Sequence, residues 1–263
     1  MYTFSSKLKT FSFVLMLIGA LGIGYGFLSA PKTIQDVETI LAAESHGHEG
    51  THNAHAVEKH DAKAKAEHEE HLTHVLHQLE NKPWAALYVA CIFFMLISLG
   101  ALAFYAIQQV AQAGWSPVLF RVMQGITSYL LPGSVIFFII LLLSGMHFNH
   151  LFIWMKEGVT EVGNPNYDHL IAGKSGYLNF PFWIIRAGLF LLVWNLYRYY
   201  SRKNCLAQDE SNDNTFYKKN FKMSAAFLVF FIVSESIMSW DWIMSVDPHW
   251  FSTLFGWYVF ASF

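Results

Sequence analysis

Cysteine is nearly absent: 263 residues hold two, Cys91 in an apolar run and Cys205 in a basic stretch. They share no paired spacing, which argues against a disulfide framework or a thiolate metal site. Charge is scarce as well. Only 14% of residues are Asp, Glu, Lys or Arg and the net charge is -2, so no global basic field exists to attract nucleic acid. The Lys and Arg residues lie mostly between apolar blocks and speak to membrane topology instead. What is abundant is hydrophobic and aromatic surface, 54% and 17% of the chain, gathered in blocks long enough to cross a bilayer. The composition predicts an all-α, polytopic transmembrane helix bundle.

Lys7 and Lys9 precede an apolar run from Phe11 to Leu28. It exceeds the roughly 7–15 residues of a signal-peptide core, so residues 1–30 read as an N-terminal transmembrane anchor. Gly22 and Gly26 form a G-x-x-x-G pair at which another helix can approach closely. Residues 31–83 read as a polar loop holding nine of the thirteen histidines. That composition suggests metal binding. Yet His68, His71, His74 and His77 recur at helical spacing beside Glu67, Glu69 and Glu70, as on any solvated amphipathic helix, and no dedicated metal site is assigned. The transmembrane bundle is expected over 84–263, with spans at 84–109, 128–150, 177–200 and 224–246 and the start of a further helix at 250–263. That makes five complete spans plus the opening of a sixth. Pro83 marks the start of the second span, and Pro132-Gly133 a kink near the start of the third.

The most basic short loop is SRKNCLAQDESNDNTFYKKNFK, with Arg202, Lys203, Lys218, Lys219 and Lys222. The positive-inside rule puts it in the cytoplasm. Counting back four helices places the N-terminus on the same side, and the His-rich loop and the loop 151–176 outside.

Ionisable residues inside spans are the functional candidates. Glu235 and Asp241 lie within the fifth span, and Arg186 lies within the fourth, where it needs a carboxylate partner or a snorkelling route. At about 1.5 Å per residue Asp241 is about 8 Å, Arg186 about 10 Å and His147 about 5 Å from the outer ends of their helices, so the three share one layer. An Arg186–Asp241 pair is the natural expectation. Glu235 comes out about 17 Å deep, near mid-membrane. Six residues separate it from Asp241, so on a regular helix the two project about 240° apart and do not share a stripe. Proton passage between them needs water or a neighbouring side chain such as Ser234 or Ser239. The bland reading is that all three charged residues only fasten helices together. His147 and His150, in MHFNH, sit at i, i+3 spacing on one face of the expected third span. A bis-histidine haem needs a further histidine at matching depth on another helix, and no other expected span has one. Hydrogen-bonded interfacial histidines are the reading adopted. Trp240, Trp242 and Trp250 read as an interfacial aromatic belt.

The stretch WDWIMSVDPHWFSTLFGWYVFAS, preceded by LAQDE, YKKNFKMSAAFLVFF and SESIMS, resembles the second polysulfide-reductase-like, NrfD-type membrane subunit of bacterial alternative complex III, the ActF family. The resemblance runs from Leu206 to Phe263; upstream it rests on helix order. It implies a subunit of a quinol:electron-acceptor oxidoreductase that has no redox centre of its own, with haem c and iron–sulfur clusters in partner subunits. It further implies menaquinol or ubiquinol as reductant and, as partners, a paralogous membrane subunit, the other subunits of the complex, surrounding lipid and a haem–copper oxygen reductase. Members of the family have roughly ten spanning helices, whereas this sequence stops at Phe263 inside an apolar segment; the resemblance implies a fragment of such a subunit, with a natural truncation as the alternative. The family is proposed to carry a proton pathway, and its polar motif positions fall here on Glu235, Asp241, Asp247 and His249.

Three functions compete. The first is a non-catalytic scaffold and proton-pathway subunit. The second binds quinone directly, using His147, His150, Arg186 or Asp241 for the head group, and predicts a lipid-facing cleft beside that layer. The third is a metal-ion transporter, which requires paired His and acidic ligands at mid-membrane, where the sequence offers only Glu235.

Overall fold

The computed structural model of the chain describes residues 5–47 and 62–263, with the side chains of 43–47, 62–71 and 74 outside the description. His48, His52, His55 and His60 therefore lie outside the described residues. The side chains of His46, His68, His71 and His74 lie outside them as well. Among the described residues every regular element is helical, and five stretches are long and apolar enough to cross a membrane: Ser6–Leu28, Val75–Val110, Ser116–Gly145, Phe180–Glu210 and Thr215–Val246. The protein is an all-α, membrane-embedded helix bundle. By contacts the chain divides into two units, Met1–Leu87 and Tyr88–Phe263.

The first unit contains α1 (Ser6–Leu28), α2 (Ile34–Gly47) and the opening turns of α3 (Ala62–Val110). The Ser5 hydroxyl caps α1 by accepting the Leu8 N–H. α1 buries none of its residues, Gly22 faces open space, and Gly26 lies against Pro83. Phe27 meets the Trp84 ring edge-on at 4.8 Å. The segment 31–83, expected as a loop, is helical over α2 and the first part of α3. Thr33 and Asp36 explain the start of α2. The Asp36 carboxylate accepts the Lys32 and Thr33 N–H groups while the Thr33 hydroxyl accepts the Asp36 N–H, a reciprocal capping box. The Thr33 side chain foremost, then the Lys32 and Thr33 N–H groups, hold the Asp36 carboxyl below its usual range. Pro83 does not open a helix either. It lies inside α3, where it removes the bond to the Leu79 carbonyl without ending the helix.

In the second unit α3 continues and is followed by a helical span built from a 3-10 turn, α4 (Phe120–Ile126), a second 3-10 turn at Thr127–Tyr129, and α5 (Leu130–Gly145). This span begins twelve residues earlier than expected, at Ser116 rather than 128, and ends at Gly145 rather than 150. Pro132 accounts for the tight turn: it has no N–H to offer the carbonyl of Ser128 and would collide with it in a regular α-helix. The chain switches to 3-10 winding at that carbonyl. The short α6 (His169–Gly173) and the long α7 (Phe180–Glu210) and α8 (Thr215–Met238) follow, then a π-helical turn at Ser239–Ile243, a 3-10 turn at Met244–Val246, and α9 (Phe255–Ala261). The expected basic loop 201–222 is mostly helix, since only Ser211–Asn214 links α7 to α8.

That extension is held by polar glue, as helix pairs in lipid require. Asn204 Nδ2 donates to Asn220 Oδ1 at 3.0 Å, Asn220 Nδ2 donates to the Ser201 carbonyl, and the Tyr197 and Ser224 hydroxyls meet at 2.7 Å. Tyr197 also stacks on Phe227 at 3.9 Å. Leu99, Tyr105, Phe137, Leu141, Trp183, Trp194 and Trp242 are fully buried between the helices, whereas Phe93, Ile139, Ile185, Leu192 and Val229 point outward, the division a lipid-facing surface requires. Gly145 lies where a Cβ would collide with the Phe180 ring, while a Cβ at Gly188 would sit 3.6 Å from Phe138. Gly145→Ala is therefore expected to destabilise by about 1–3 kcal/mol through overpacking, with Gly188→Ala near neutral. Thermal midpoints of the purified variants check this.

Candidate functional site

α7 starts where the Asn179 side chain accepts the Phe182 N–H and Pro181 occupies the first turn, where its missing N–H removes no helical bond. Two turns later Arg186 projects toward the wide turn of the fifth span. Arg186 Nε donates to Asp241 Oδ2 at 2.7 Å and Nη2 to Oδ1 at 2.9 Å, a bidentate pair in which the Arg186 side chain is 9% and Asp241 0% exposed. The guanidinium lies between the rings of Tyr177 and Phe182, 4.0 and 4.1 Å from their centres. Its Nη1 and Nη2 also reach the Tyr177 carbonyl at 3.4 Å.

The π turn is what aims Asp241 at Arg186. Such a turn carries an extra residue and leaves backbone carbonyls without helical partners. Here the Asp241 carbonyl accepts Trp183 Nε1 at 2.8 Å and the Ser245 hydroxyl at 2.5 Å, and the Trp242 carbonyl accepts the Tyr88 hydroxyl at 2.7 Å. Trp242 is correspondingly a core residue, 0% exposed and packed on Phe137 and Trp194. The expected aromatic belt is thus corrected for Trp242: its ring fills the bundle interior, where it walls the wide turn. With both carboxylate oxygens engaged by Arg186, Asp241 works as a fixed countercharge.

Glu235 is the contrast. It is 0% exposed, and among the described residues its Oε1 has no hydrogen-bond partner. Its Oε2 has only the Ser236 hydroxyl, at 3.5 Å, a marginal distance. The hydroxyls expected to help are committed elsewhere, Ser234 accepting Trp194 Nε1 and donating to the Phe231 carbonyl, Ser239 donating to the Ser236 carbonyl. An acid placed like this can hold or release a proton with nothing nearby to fix its state, unlike Asp241.

His147 and His150 do not share a helical face. α5 ends at Gly145, and His147 adopts φ 61°, with its N–H bonded to the Ser144 carbonyl and the Phe148 N–H to the Leu143 carbonyl. This is a Schellman end with histidine at the left-handed position where glycine is usual. His147 has a structural task there, and both histidines are exposed.

Asp247 and His249 gather instead with a residue that sequence reasoning missed. His249 Nε2 lies 2.5 Å from Asp168 Oδ2 and its Nδ1 3.4 Å from Asp247 Oδ1. Asp168 also caps α6 through Oδ1, which accepts the Leu170 and Ile171 N–H groups. An Asp directly before the run HLIAG was the available signal. Beside this cluster opens a cleft of about 620 Å³ walled by Lys174, Tyr177, Trp240, Met244, Trp250 and Phe251, within the size range of small-molecule sites. Tyr177 joins the cleft to the buried pair. Burial first, then the facing Asp241 carboxylate, pushes its hydroxyl above the ordinary range, so it stays protonated and serves as a donor. Among the described residues no three His, Cys, Asp or Glu side chains converge as metal ligands. His77 Nδ1 lies 3.6 Å from Glu80 Oε2.

Comparison with models of known protein families and with curated protein sequences finds no match to this chain.

Proposed function

We propose that this chain is an integral membrane subunit of a respiratory quinol:electron-acceptor oxidoreductase of the alternative complex III kind. It supplies scaffold and one station of a proton pathway, and has no redox centre of its own. The observation that carries the reading is the unequal state of the two buried acids: Asp241 is saturated by Arg186, while Glu235 is equally buried with an unpartnered oxygen. Ionisable groups inside spans are usual markers of ion and proton routes, and of these two acids Glu235 is the one that no cation among the described residues fixes. In this reading the Arg186–Asp241 pair fixes the helices and Glu235 exchanges the proton. Asp247 and His249 lie outside the spans, at the end where such a route meets water. The membrane is a bacterial inner membrane, with the N-terminus cytoplasmic and the His-rich segment periplasmic. Haem c and iron–sulfur centres belong to partner subunits, among them a paralogous membrane subunit, and electrons leave toward a haem–copper oxygen reductase.

A second reading is favoured by the cleft: a menaquinol or ubiquinol head group seated between Trp240, Trp250 and Phe251 within reach of the Tyr177 hydroxyl. Purifying the tagged chain from its native membrane in mild detergent tests complex membership. Co-elution of haem c and iron–sulfur proteins with quinol-oxidising activity is expected. Elution with partners that hold no redox centre would contradict it.

A further inference from the structure

The cleft is bounded by two chain segments that come from far apart, 168–178 before α7 and 247–251 after the fifth span, and polar links join them. Lys174 Nζ donates to the Pro248 carbonyl at 2.5 Å. The second link is His249, with Asp168 at one ring nitrogen and Asp247 at the other. A neutral imidazole has a single N–H, so it can donate to one of these carboxylates while its other nitrogen turns a lone pair toward the second. Only the imidazolium donates to both. The two oxygens of Asp168 divide the work, Oδ1 capping α6 and Oδ2 meeting His249. Loosening the latch therefore need not unwind the helix.

We infer that His249 is a proton-operated latch on this cleft: the imidazolium steadied by Asp247 fastens 247–251 to 168–178 through an ion pair with Asp168, and its neutralisation leaves at most one neutral N–H bond there and loosens the mouth. Its use as a control on ligand access rests on the second reading above; the latch itself does not. Among the described residues the charged groups set about His249 are Asp168 from the cap of α6, Asp247 from its own segment, and Lys174, whose ammonium meets the adjacent Pro248 carbonyl. The carboxylates prevail: the Asp168 bond first, with Asp247 adding, pushes His249 above its usual 6.5. The same contact, with the α6 amides, holds Asp168 below 3.8. The signs follow. The raised His249 value makes its contribution complete below pH about 6.5 and lost as pH rises through the value in the closed form. The lowered Asp168 value makes its contribution present above about 3.8 and lost only in stronger acid.

Hydrogen–deuterium exchange of residues 168–178 in the full-length protein, corrected for intrinsic rates and compared at pH 6 and pH 9, reads the latch directly. Wild type is expected to lose protection several-fold at the higher pH. His249→Gln should exchange at the unlatched level at both. Asp168→Asn, which keeps a good helix cap and removes the charge, should also lose the pH response and serves if His249→Gln does not fold. Equal wild-type protection at both pH values, or a pH response that survives in the variants, would overturn the latch. Decyl-ubiquinone quenching of tryptophan fluorescence, run alongside, separates the two ideas. Faster quenching at pH 9 supports access control, and equal quenching at both pH values overturns it. A shift in exchange with no quinone binding keeps the latch and removes the second reading.

Discussion

Arg186→Met is expected to destabilise the bundle by about 3–5 kcal/mol, the cost of leaving one member of a buried pair uncompensated. Asp241 is fully buried, so its carboxylate would lose both N–H donors at once with no solvent exposure to compensate. The Tyr177 carbonyl and the two rings that enclose the guanidinium would lose their partner as well. Asp241→Leu should be comparably damaging, because it strands the arginine between Tyr177 and Phe182. Arg186→Met with Asp241→Leu should recover most of the loss, since removing both charges removes the penalty that either single change exposes. Unfolding of the detergent-solubilised variants gives the four corners of the cycle. Additive losses would mean that the pair is not the fastening the geometry implies.

Glu235 is expected to behave in the opposite way. Replacing a buried polar group that lacks a full partner by an apolar group of similar size is near neutral or stabilising, so Glu235→Leu should leave the thermal midpoint unchanged or raise it while abolishing proton transfer through the subunit. Glu235→Gln keeps the shape and the weak Ser236 contact but cannot give up a proton, and should have the same functional effect. A large loss of stability in either variant would make the acid a fastening like Asp241.

These contrasts show which parts of the molecule were legible in the sequence. The spans were, because a run of apolar residues long enough for a bilayer has few other uses. Their limits were not. Hydropathy stops α7 at its last aromatic residues, yet the helix runs on to Glu210 because Ser201 and Asn204 are buried against Asn220, and buried amides look polar to any hydropathy window. Pro83 inside α3 and the histidine-capped end of α5 defeated the usual boundary signals for similar reasons. At the site, Arg186 and Asp241 could be matched by depth, since two opposite charges inside spans have few alternatives. The π turn that joins them left no local mark, because its freed carbonyls are filled from Trp183 and Tyr88, 58 and 154 residues away in sequence. The Asp168–His249 contact, across 81 residues, was hidden for the same reason.

The central claim is that two equally buried acids have different duties, Asp241 holding the fold and Glu235 exchanging protons. Proton release during quinol oxidation in vesicles containing the assembled complex tests it most directly, with wild type and Glu235→Gln compared at equal electron flux. The account predicts fewer protons per electron in the variant with quinol turnover and assembly intact. An unchanged ratio in a normally assembled complex would contradict it and leave Glu235 a structural residue.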